Sequence, residues 1–194
     1  MSMEPKKKRK IAWGITGSGD KLSETIEAMK KIKELYVDNA IIEVYLSKAG
    51  EQVLKHYRVN DDLKVHFDRV WVEVNANSPF LSGQLQMGRY AFLLIAPATS
   101  NTVAKIAVGI ADSLLSNAAV QALKAFVPVY IMPSDYKEGI ISTRLPSGRE
   151  MKLQIRKEDA DNVRRLATMA NVSILEKPED IYTVFEKHFG SKKN

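Results

Sequence analysis

The sequence has no cysteine among its 194 residues. This absence excludes disulfides, thiolate zinc sites, cysteine-ligated iron–sulfur clusters and a redox-active dithiol. Any redox chemistry of the chain must therefore come from a bound organic cofactor.

Long apolar runs are also missing. No stretch approaches the ~18 consecutive apolar residues that cross a bilayer, and no apolar signal segment follows the basic N-terminal run. We therefore expect a soluble, cytoplasmic protein with no membrane partner.

With 45% apolar residues the chain can bury one core, so we predict a single domain over residues 11–190, a basic tail over 1–10 and a short tail over 191–194.

The net charge of +6 lies at the chain ends. Residues 6–10 are five cations against Glu4, and Lys192 and Lys193 add two more, which leaves residues 11–191 neutral. A neutral body with basic ends does not describe a nucleic-acid groove, and no nucleic-acid-binding motif occurs. The run Pro5 to Lys10 resembles a nuclear-import signal, although a solvated tail is the favoured interpretation.

Short apolar runs alternate with helical patterns, as in a parallel sheet covered on both faces. We predict a three-layer, Rossmann-like α/β fold with strand order about 3-2-1-4-5-6. The predicted strands of this sheet are Ile11–Ile15, Ile41–Leu46, Val70–Val74, Phe92–Ala96, Val127–Met132 and Val172–Leu175.

Helices are predicted over residues 22–36, 48–57, 101–109, 112–125, 157–169 and 178–188. The segment Asn75 to Gly88 is polar and contains Pro79 and Gly83, so we predict a long loop there. Ile140–Leu145 and Glu150–Ile155 flank Pro146-Ser147-Gly148, which predicts a late β-hairpin.

A glycine-rich turn, Gly14-Ile15-Thr16-Gly17-Ser18-Gly19-Asp20, joins the first strand to the first helix. Glycines let a backbone approach an anion, and the free N–H groups of a helix start favour negative charge, so this turn suits a single phosphate. A plain tight turn is an equal alternative. Ser47 ends the neighbouring strand and could reach the same phosphate, although a helix cap is the commoner role for such a serine.

Polar residues also follow the most apolar strand, in the motif Ala96-Pro97-Ala98-Thr99-Ser100-Asn101-Thr102. Four consecutive hydrogen-bonding side chains are more than one helix cap requires. A flat heterocycle needs such donors and acceptors along its edge. Capping remains a sufficient explanation for Thr99 or Ser100.

The histidines and tryptophans form no site of their own. His56, His66 and His188 lie in polar surroundings or beside the tail, so we expect all three at the surface. Trp13 and Trp71 lie in predicted strands, where a core position is more common than stacking on a cofactor.

These motifs, together with Ala104-Lys105-Ile106-Ala107 and Gly109-Ile110-Ala111-Asp112, resemble the homo-oligomeric flavin-containing Cys decarboxylase superfamily over residues 11–133. That group includes phosphopantothenoylcysteine decarboxylase, lantibiotic peptide decarboxylases and flavin prenyltransferases. Trp13, Val74-Asn75-Ala76-Asn77 and the hairpin are similar to its archaeoflavoprotein AfpA branch, whose cousins include dihydromethanopterin reductases.

The resemblance implies that the chain binds FMN. Gly17, Ser18 and Gly19 would hold its phosphate, with a hydrogen bond from Ser47. Ala98, Thr99, Ser100, Asn101 and Thr102 would line the ribityl chain and the ring. Asn117 stands where the prenyltransferases carry a flavin-contacting arginine, and a structural cap is the favoured role for Asp112.

The chain departs from the decarboxylases at their catalytic positions. Their histidine would fall near Gly83, yet no histidine lies between His66 and His188. Ile131-Met132-Pro133-Ser134-Asp135 stands where they carry a Pro-x-Met-Asn clamp and where prenyltransferases carry an Arg-Glu pair. We therefore expect no decarboxylase activity, and we assign no catalytic residue and no metal ligand.

The resemblance implies a redox flavoprotein that takes electrons from ferredoxin, passes them to a small or protein acceptor, and assembles as a homotrimer or a multiple of trimers. One alternative is an FMN-dependent pterin reductase of the dihydromethanopterin type. Another is an FMN-binding module without redox function, since a fold does not fix a function.

Overall fold

A six-stranded parallel sheet forms the centre of the protein, whose computed structural model describes residues 7–144 and 148–192. Its order, β3-β2-β1-β4-β5-β8, confirms the predicted Rossmann-like arrangement. The strands of the sheet are β1 Arg9–Ile15, β2 Ala40–Leu46, β3 Arg69–Val72, β4 Tyr90–Ala98, β5 Val129–Pro133 and β8 Val172–Ile174. The first strand thus takes in Arg9 and Lys10, the last two residues of the predicted tail.

Eight helices lie within the described residues: α1 Leu22–Leu35, α2 Lys48–His56, α3 Asn60–His66, α4 Leu81–Gln86, α5 Ser100–Val108, α6 Leu114–Lys124, α7 Lys157–Ala167 and α8 Asp180–Phe189. They place apolar clusters on both faces of the sheet. One cluster contains Trp13 with α1 and α8, and the other contains Leu93 with α5 and α6. Because both faces are covered, the strands read as continuous apolar runs.

The helix α4 corrects the prediction of a long loop over residues 75–88. Leu81 and Leu85, one helical turn apart, are both fully buried and hold this short helix in place. Gly83 lies inside this helix without breaking it. The ring of Phe80 packs over Gly83, since an added Cβ would lie 2.0 Å from Phe80 Cζ. The helix α3, for which no element was predicted, buries only Leu63.

The predicted hairpin is present as β6 Gly139–Arg144 paired antiparallel with β7 Glu150–Ile155. It forms a separate two-stranded sheet, and Ile140 on it is 76% exposed. Pro146 and Ser147 of the predicted turn lie outside the described residues.

A carboxylate on β2 is buried and hydrogen-bonded to side chains of β1 and β4. Glu43 is 3% exposed, and its Oε2 accepts a hydrogen bond from Tyr90 Oη at 2.6 Å and one from Tyr45 Oη at 3.2 Å, while its Oε1 accepts one from Lys10 Nζ at 2.9 Å. Burial alone would raise the pKa of Glu43, but the hydrogen bonds from Tyr90 and Lys10 outweigh it and hold the pKa below its ordinary value. The folded protein therefore favours the charged form of Glu43.

Two aromatic residues lie elsewhere than expected. The ring of His188 packs on buried Phe92 at 4.6 Å between centroids, and its Nε2 is 2.9 Å from Tyr130 Oη, so it is half-buried rather than a surface residue. Trp71 is 38% exposed because β3 is an edge strand, whereas Trp13 in the central strand is fully buried as predicted.

The helices of the described residues include none that is both long and apolar enough to span a bilayer.

Candidate functional site

The loop that follows β1 is fastened to the loop that follows β4. The hydroxyl of Thr16 donates to the carbonyl oxygen of Pro97 at 2.9 Å and accepts from the backbone N–H of Thr99 at 2.8 Å. Thr16 is 1% exposed. This residue was not among the predicted site residues, yet it joins the two motifs, because parallel strands bring their carboxyl ends to one edge of the sheet.

The glycines of the first loop let it pack closely on α2. A Cβ added to Gly17 would lie 2.7 Å from Ala49 Cβ, and one added to Gly19 would lie 2.3 Å from Tyr57 Oη. The backbone N–H groups of Gly17, Ser18 and Gly19 donate no hydrogen bond to any atom within residues 7–144 and 148–192. Free amides on a tightly packed turn form a cradle for an anion.

The first turn of α1 adds to this cradle. Its N-cap, Lys21, has a left-handed backbone with φ of 55° and makes no side-chain cap. The positive end of the helix is therefore open beside the free amides of the loop. Together they fit the phosphate group that the sequence predicts here.

Ser47 acts as the N-cap of α2, as the capping alternative proposed. Its Oγ accepts a hydrogen bond from the N–H of Gly50 at 2.9 Å. The hydroxyl proton is not used by that bond, so Ser47 can still donate to a ligand at the end of β2.

The residues after β4 divide into those already bonded and one that is free. Thr99 caps α5 and contacts Thr102, and the hydroxyl of Ser100 donates to the carboxylate of Asp135. Asn101 is exposed, and no side-chain hydrogen bond joins it to another described residue. Capping thus accounts for Thr99 but not for Ser100, whereas Asn101 has its amide available for a ligand.

The end of β5 completes the site. Ser134 Oγ donates to Ser18 Oγ at 2.6 Å, and the N–H of Ser134 donates to the carbonyl of Ala98 at 2.9 Å. Sequence reasoning noted Ser134-Asp135 only as a departure from the decarboxylases. The structure gives both residues contacts with predicted site residues on the other two loops.

The acidic groups of this region influence each other. Burial raises the pKa of Asp20, the positive charge of Lys21 lowers it, and the carboxylates of Glu24 and Asp135 raise it further. The net shift is upward.

Asn117 holds the loop after β3. Its Nδ2 donates to the carbonyl of Ala76 at 2.9 Å and to Asn77 Oδ1 at 3.0 Å, while its Oδ1 accepts from Gln121. The amide is therefore used within the chain, and its contact with a cofactor stays a prediction. Asp112 does not cap α6: Ser113 is the N-cap, and Asp112 pairs with Lys105 at 2.8 Å.

The same loop is tied to two helix starts by a residue that the sequence did not single out. Glu73 accepts a hydrogen bond from the N–H of Lys48 at 3.2 Å with one carboxylate oxygen and from the N–H of Leu114 at 3.0 Å with the other. A carboxylate at the positive ends of α2 and α6 is stabilised there by both helix dipoles. This contact fixes α2 and α6 relative to β3.

Comparison with known proteins places this arrangement in a family. The sequence model named Flavoprotein matches residues 1–191. An uncharacterized protein of Methanocaldococcus jannaschii is 52% identical, covering 95% of this chain and 98% of the relative. The dihydromethanopterin reductase (acceptor) of the same organism is 31% identical over 91% of this chain and 95% of its own length.

A solved structure agrees with these relatives. DmrB of Burkholderia xenovorans in complex with FMN, described as a cubic protein cage for redox transfer, has a TM-score of 0.79 and 32% identity, covering 94% of this chain and 96% of that one. The resemblance inferred from the glycine-rich turn and the Ala98 to Thr102 segment is thereby confirmed. With a family match over nearly its whole length, the chain belongs to the flavoprotein family.

Proposed function

We propose that this protein binds FMN without a covalent bond and transfers electrons from a protein donor to an acceptor. The observation that carries the proposal is the anion cradle: three free backbone amides, at Gly17, Ser18 and Gly19, beside the uncapped start of α1. Gly17 packs directly on Ala49 of α2, which leaves no room for a side chain there, so the close approach of the cradle to α2 is built into the fold.

The chain's own residues would bind and orient the cofactor. The amides and the hydroxyl proton of Ser47 would hold the phosphate, and Asn101 would donate to or accept from the polar edge of the ring system. Thr16, Ser18 and Ser134 would keep the three loops in register around it. FMN supplies the redox chemistry when bound, while the protein sets its orientation and potential.

Relatives support the redox assignment. A homologue at 31% identity is a dihydromethanopterin reductase (acceptor), and the DmrB structure contains FMN and is described as serving redox transfer. We therefore keep reduction of a dihydropterin-type substrate as the second candidate. Decarboxylation is not proposed, because no histidine lies between His66 and His188.

The donor and the assembly are also proposals. Since the chain has no cysteine, an iron–sulfur centre must belong to the partner, and we propose reduced ferredoxin as the donor. We propose a homotrimer or a multiple of trimers. The exposed Ile140 on the isolated hairpin supports a contact between subunits, as does the cage described for DmrB.

The first test is cofactor binding. The purified protein should show flavin absorbance or take up added FMN, with quenching of FMN fluorescence on titration. Asn101→Ala should weaken FMN binding about fivefold, the equivalent of one hydrogen bond. Asn162→Ala, which removes a half-buried amide from α7, is the matched control and should leave binding unchanged. A colourless protein that takes up no FMN would refute the proposal.

The second test separates the functions. The FMN-loaded protein is mixed anaerobically with reduced ferredoxin, and reduction is followed by loss of flavin absorbance. Fast reduction followed by slow reaction with dihydropterin supports an electron carrier, and fast oxidation by dihydropterin supports the reductase. Bound flavin that no ferredoxin system reduces would indicate a module without redox function.

A further inference from the structure

A cavity lies at the opposite edge of the sheet from the candidate site. It has a volume of about 930 Å³ and is bordered by the residues that begin β1 and β4 and by those that follow α6. The strand β1 runs seven residues from this cavity to the first site loop, a distance of about 20 Å at ~3.3 Å per residue. The cavity is therefore separate from the proposed flavin site.

One side of the cavity carries positive charge that nothing in the described chain neutralises. Lys7, Lys8 and Arg89 line it, and no carboxylate is among its lining residues. None of these three side chains forms an ion pair with a described residue, whereas Lys10 is held by Glu43 and Arg9 by the carbonyl of His188. A concave surface with unpaired cations concentrates anions.

The other side of the cavity is apolar and contains an unusual residue. Phe126 is 82% exposed and has a left-handed backbone with φ of 59°, directly after the C-cap of α6. Glycine is the favoured residue at such a position because a Cβ is unfavourable there. Phe126 is thus disfavoured in the free protein both by its backbone and by its exposed ring.

We propose that this cavity binds a small molecule that joins a flat aromatic ring to two or more anionic groups, the class to which nucleotides belong. The ring would cover Phe126, and the anionic groups would contact Lys7, Lys8 and the planar, two-pronged guanidinium of Arg89. The volume falls within the ~300–1,000 Å³ typical of small-molecule sites. This inference does not rest on the proposed function, since it uses none of the residues of the flavin site.

The test is calorimetric titration of the FMN-loaded protein, in which the flavin site is filled, with ATP, GTP, inorganic triphosphate and adenosine. Saturable binding of ATP or GTP is expected, with triphosphate at least about tenfold weaker for lack of a ring and adenosine weaker still. The double variant Lys7→Gln/Lys8→Gln and the variant Arg89→Gln should each weaken nucleotide binding about tenfold. Lys152→Gln, which removes an exposed lysine from the hairpin, is the matched control and should bind as the parent does.

Substitution of Phe126 separates a role in ligand binding from a role in folding stability, because the two roles predict different changes of Tm and of nucleotide affinity. Phe126→Gly should raise Tm, because glycine accepts the left-handed backbone, and should weaken nucleotide binding, because the ring is gone. Phe126→Ala should weaken binding without the gain in Tm. A parallel loss of stability and binding in Phe126→Gly would contradict the proposal.

Other outcomes would overturn it directly. The proposal would be wrong if neither nucleotide bound saturably, or if inorganic triphosphate bound as tightly as ATP. It would also be wrong if Lys152→Gln lost as much nucleotide affinity as the cavity variants, or if the nucleotide displaced FMN. Tighter binding of poly-glutamate than of ATP would assign the surface to an acidic protein segment instead. A change of sedimentation mass in Phe126→Ala would show that a second copy of the chain covers the ring.

Discussion

The fastening of the two site loops by one buried hydroxyl can be tested by Thr16→Val. Valine has nearly the shape of threonine, so the change removes two hydrogen bonds with little change in packing. The carbonyl of Pro97 keeps the N–H of Thr16 as a donor at 3.2 Å, but the N–H of Thr99 loses its partner. Each bond contributes about 1 kcal/mol and an unsatisfied buried amide costs about 1–3 kcal/mol, so we expect a loss of about 2–3 kcal/mol.

The measurement is urea unfolding of the protein without cofactor. With a slope of about 2 kcal/mol per molar urea, the midpoint should fall by about 1–1.5 M at an unchanged slope. Thr16→Ser keeps the hydroxyl and loses one buried methyl, so it should lose only about 1 kcal/mol. Thr168→Val removes a similar hydroxyl-to-carbonyl bond at the exposed end of α7 and should change stability by less than about 0.5 kcal/mol.

The same variant tests whether the two loops act as one site. If the phosphate cradle and the residues after β4 bind one cofactor, loosening the joint between them should weaken FMN binding by about tenfold or more, or 1.4 kcal/mol. Thr16→Ser should bind nearly as tightly as the parent. If Thr16→Val matches Thr16→Ser in both stability and FMN affinity, the Thr16 hydroxyl does not join the two loops into one site.

Three further predictions concern packing and pH. Gly17→Ala should cost about 1–3 kcal/mol by overpacking against Ala49 in urea unfolding, and Ala49→Gly should recover part of that loss in the double variant. Burial lowers the pKa of His188, and the positive charges of Arg9 and Lys187 lower it further, so the folded protein favours the neutral imidazole. The contribution of neutral His188 to folding stability is therefore complete above its unfolded pKa of about 6.5 and is lost as pH falls below that value. The pKa of Glu43 is lower in the folded protein than in the unfolded chain, where it lies near 4.5. The contribution of charged Glu43 to folding stability is therefore complete above about pH 4.5 and is lost as pH falls through the lower folded pKa.

Each of these has its own control. Additive losses in Gly17→Ala and Ala49→Gly would show that the two positions do not meet. His188→Gln should flatten the fall in Tm between about pH 7 and 5, whereas exposed His56→Gln should not, and equal profiles would contradict the assignment. Glu43→Gln should unfold about 1–3 kcal/mol more easily at pH 7 and show a weaker acid transition, and an unchanged acid transition would remove Glu43 as its source.

The sheet could be predicted because its strands are buried on both faces. Runs such as Ile41 to Leu46 contain too many β-branched and apolar residues for an exposed strand, and helical patterns separate them, which leaves few topologies. Strand ends were within a few residues of the observed ones. The edge strand β3 departs in character, since an edge position leaves Trp71 exposed where a core tryptophan was expected.

The helices α3 and α4 could not be predicted because each is too short to show a period. Each helix contributes only one or two buried leucines, such as Leu81 and Leu85 in α4, whereas a helical period needs a window of about 11 residues or more. Gly83 and Pro79 were interpreted as breakers. The ring of Phe80 packs directly over Gly83, a contact that composition does not reveal.

The site was predicted in its residue types but not in its connections. Glycines and hydroxyl residues at strand ends mark a phosphate-binding edge, and their order along the chain is visible in the sequence. The bonds between Thr16 and Thr99 and between Ser18 and Ser134 join residues 83 and 116 positions apart. Only the parallel arrangement of β1, β4 and β5 brings them together, so they depend on the tertiary fold.

These connections divide the proposed cofactor site into two kinds of residue. Ser47, Thr99, Ser100 and Asn117 already bond to the protein itself, so their side chains have one free proton or none to offer. The proposed ligands with no hydrogen bond to another described residue are the amides of the first loop and the side chain of Asn101. Binding energy for FMN should therefore come mainly from backbone that no substitution removes directly. Single replacements of polar side chains should each lower affinity by severalfold at most, whereas Thr16→Val, which touches no proposed ligand atom, should have the larger effect.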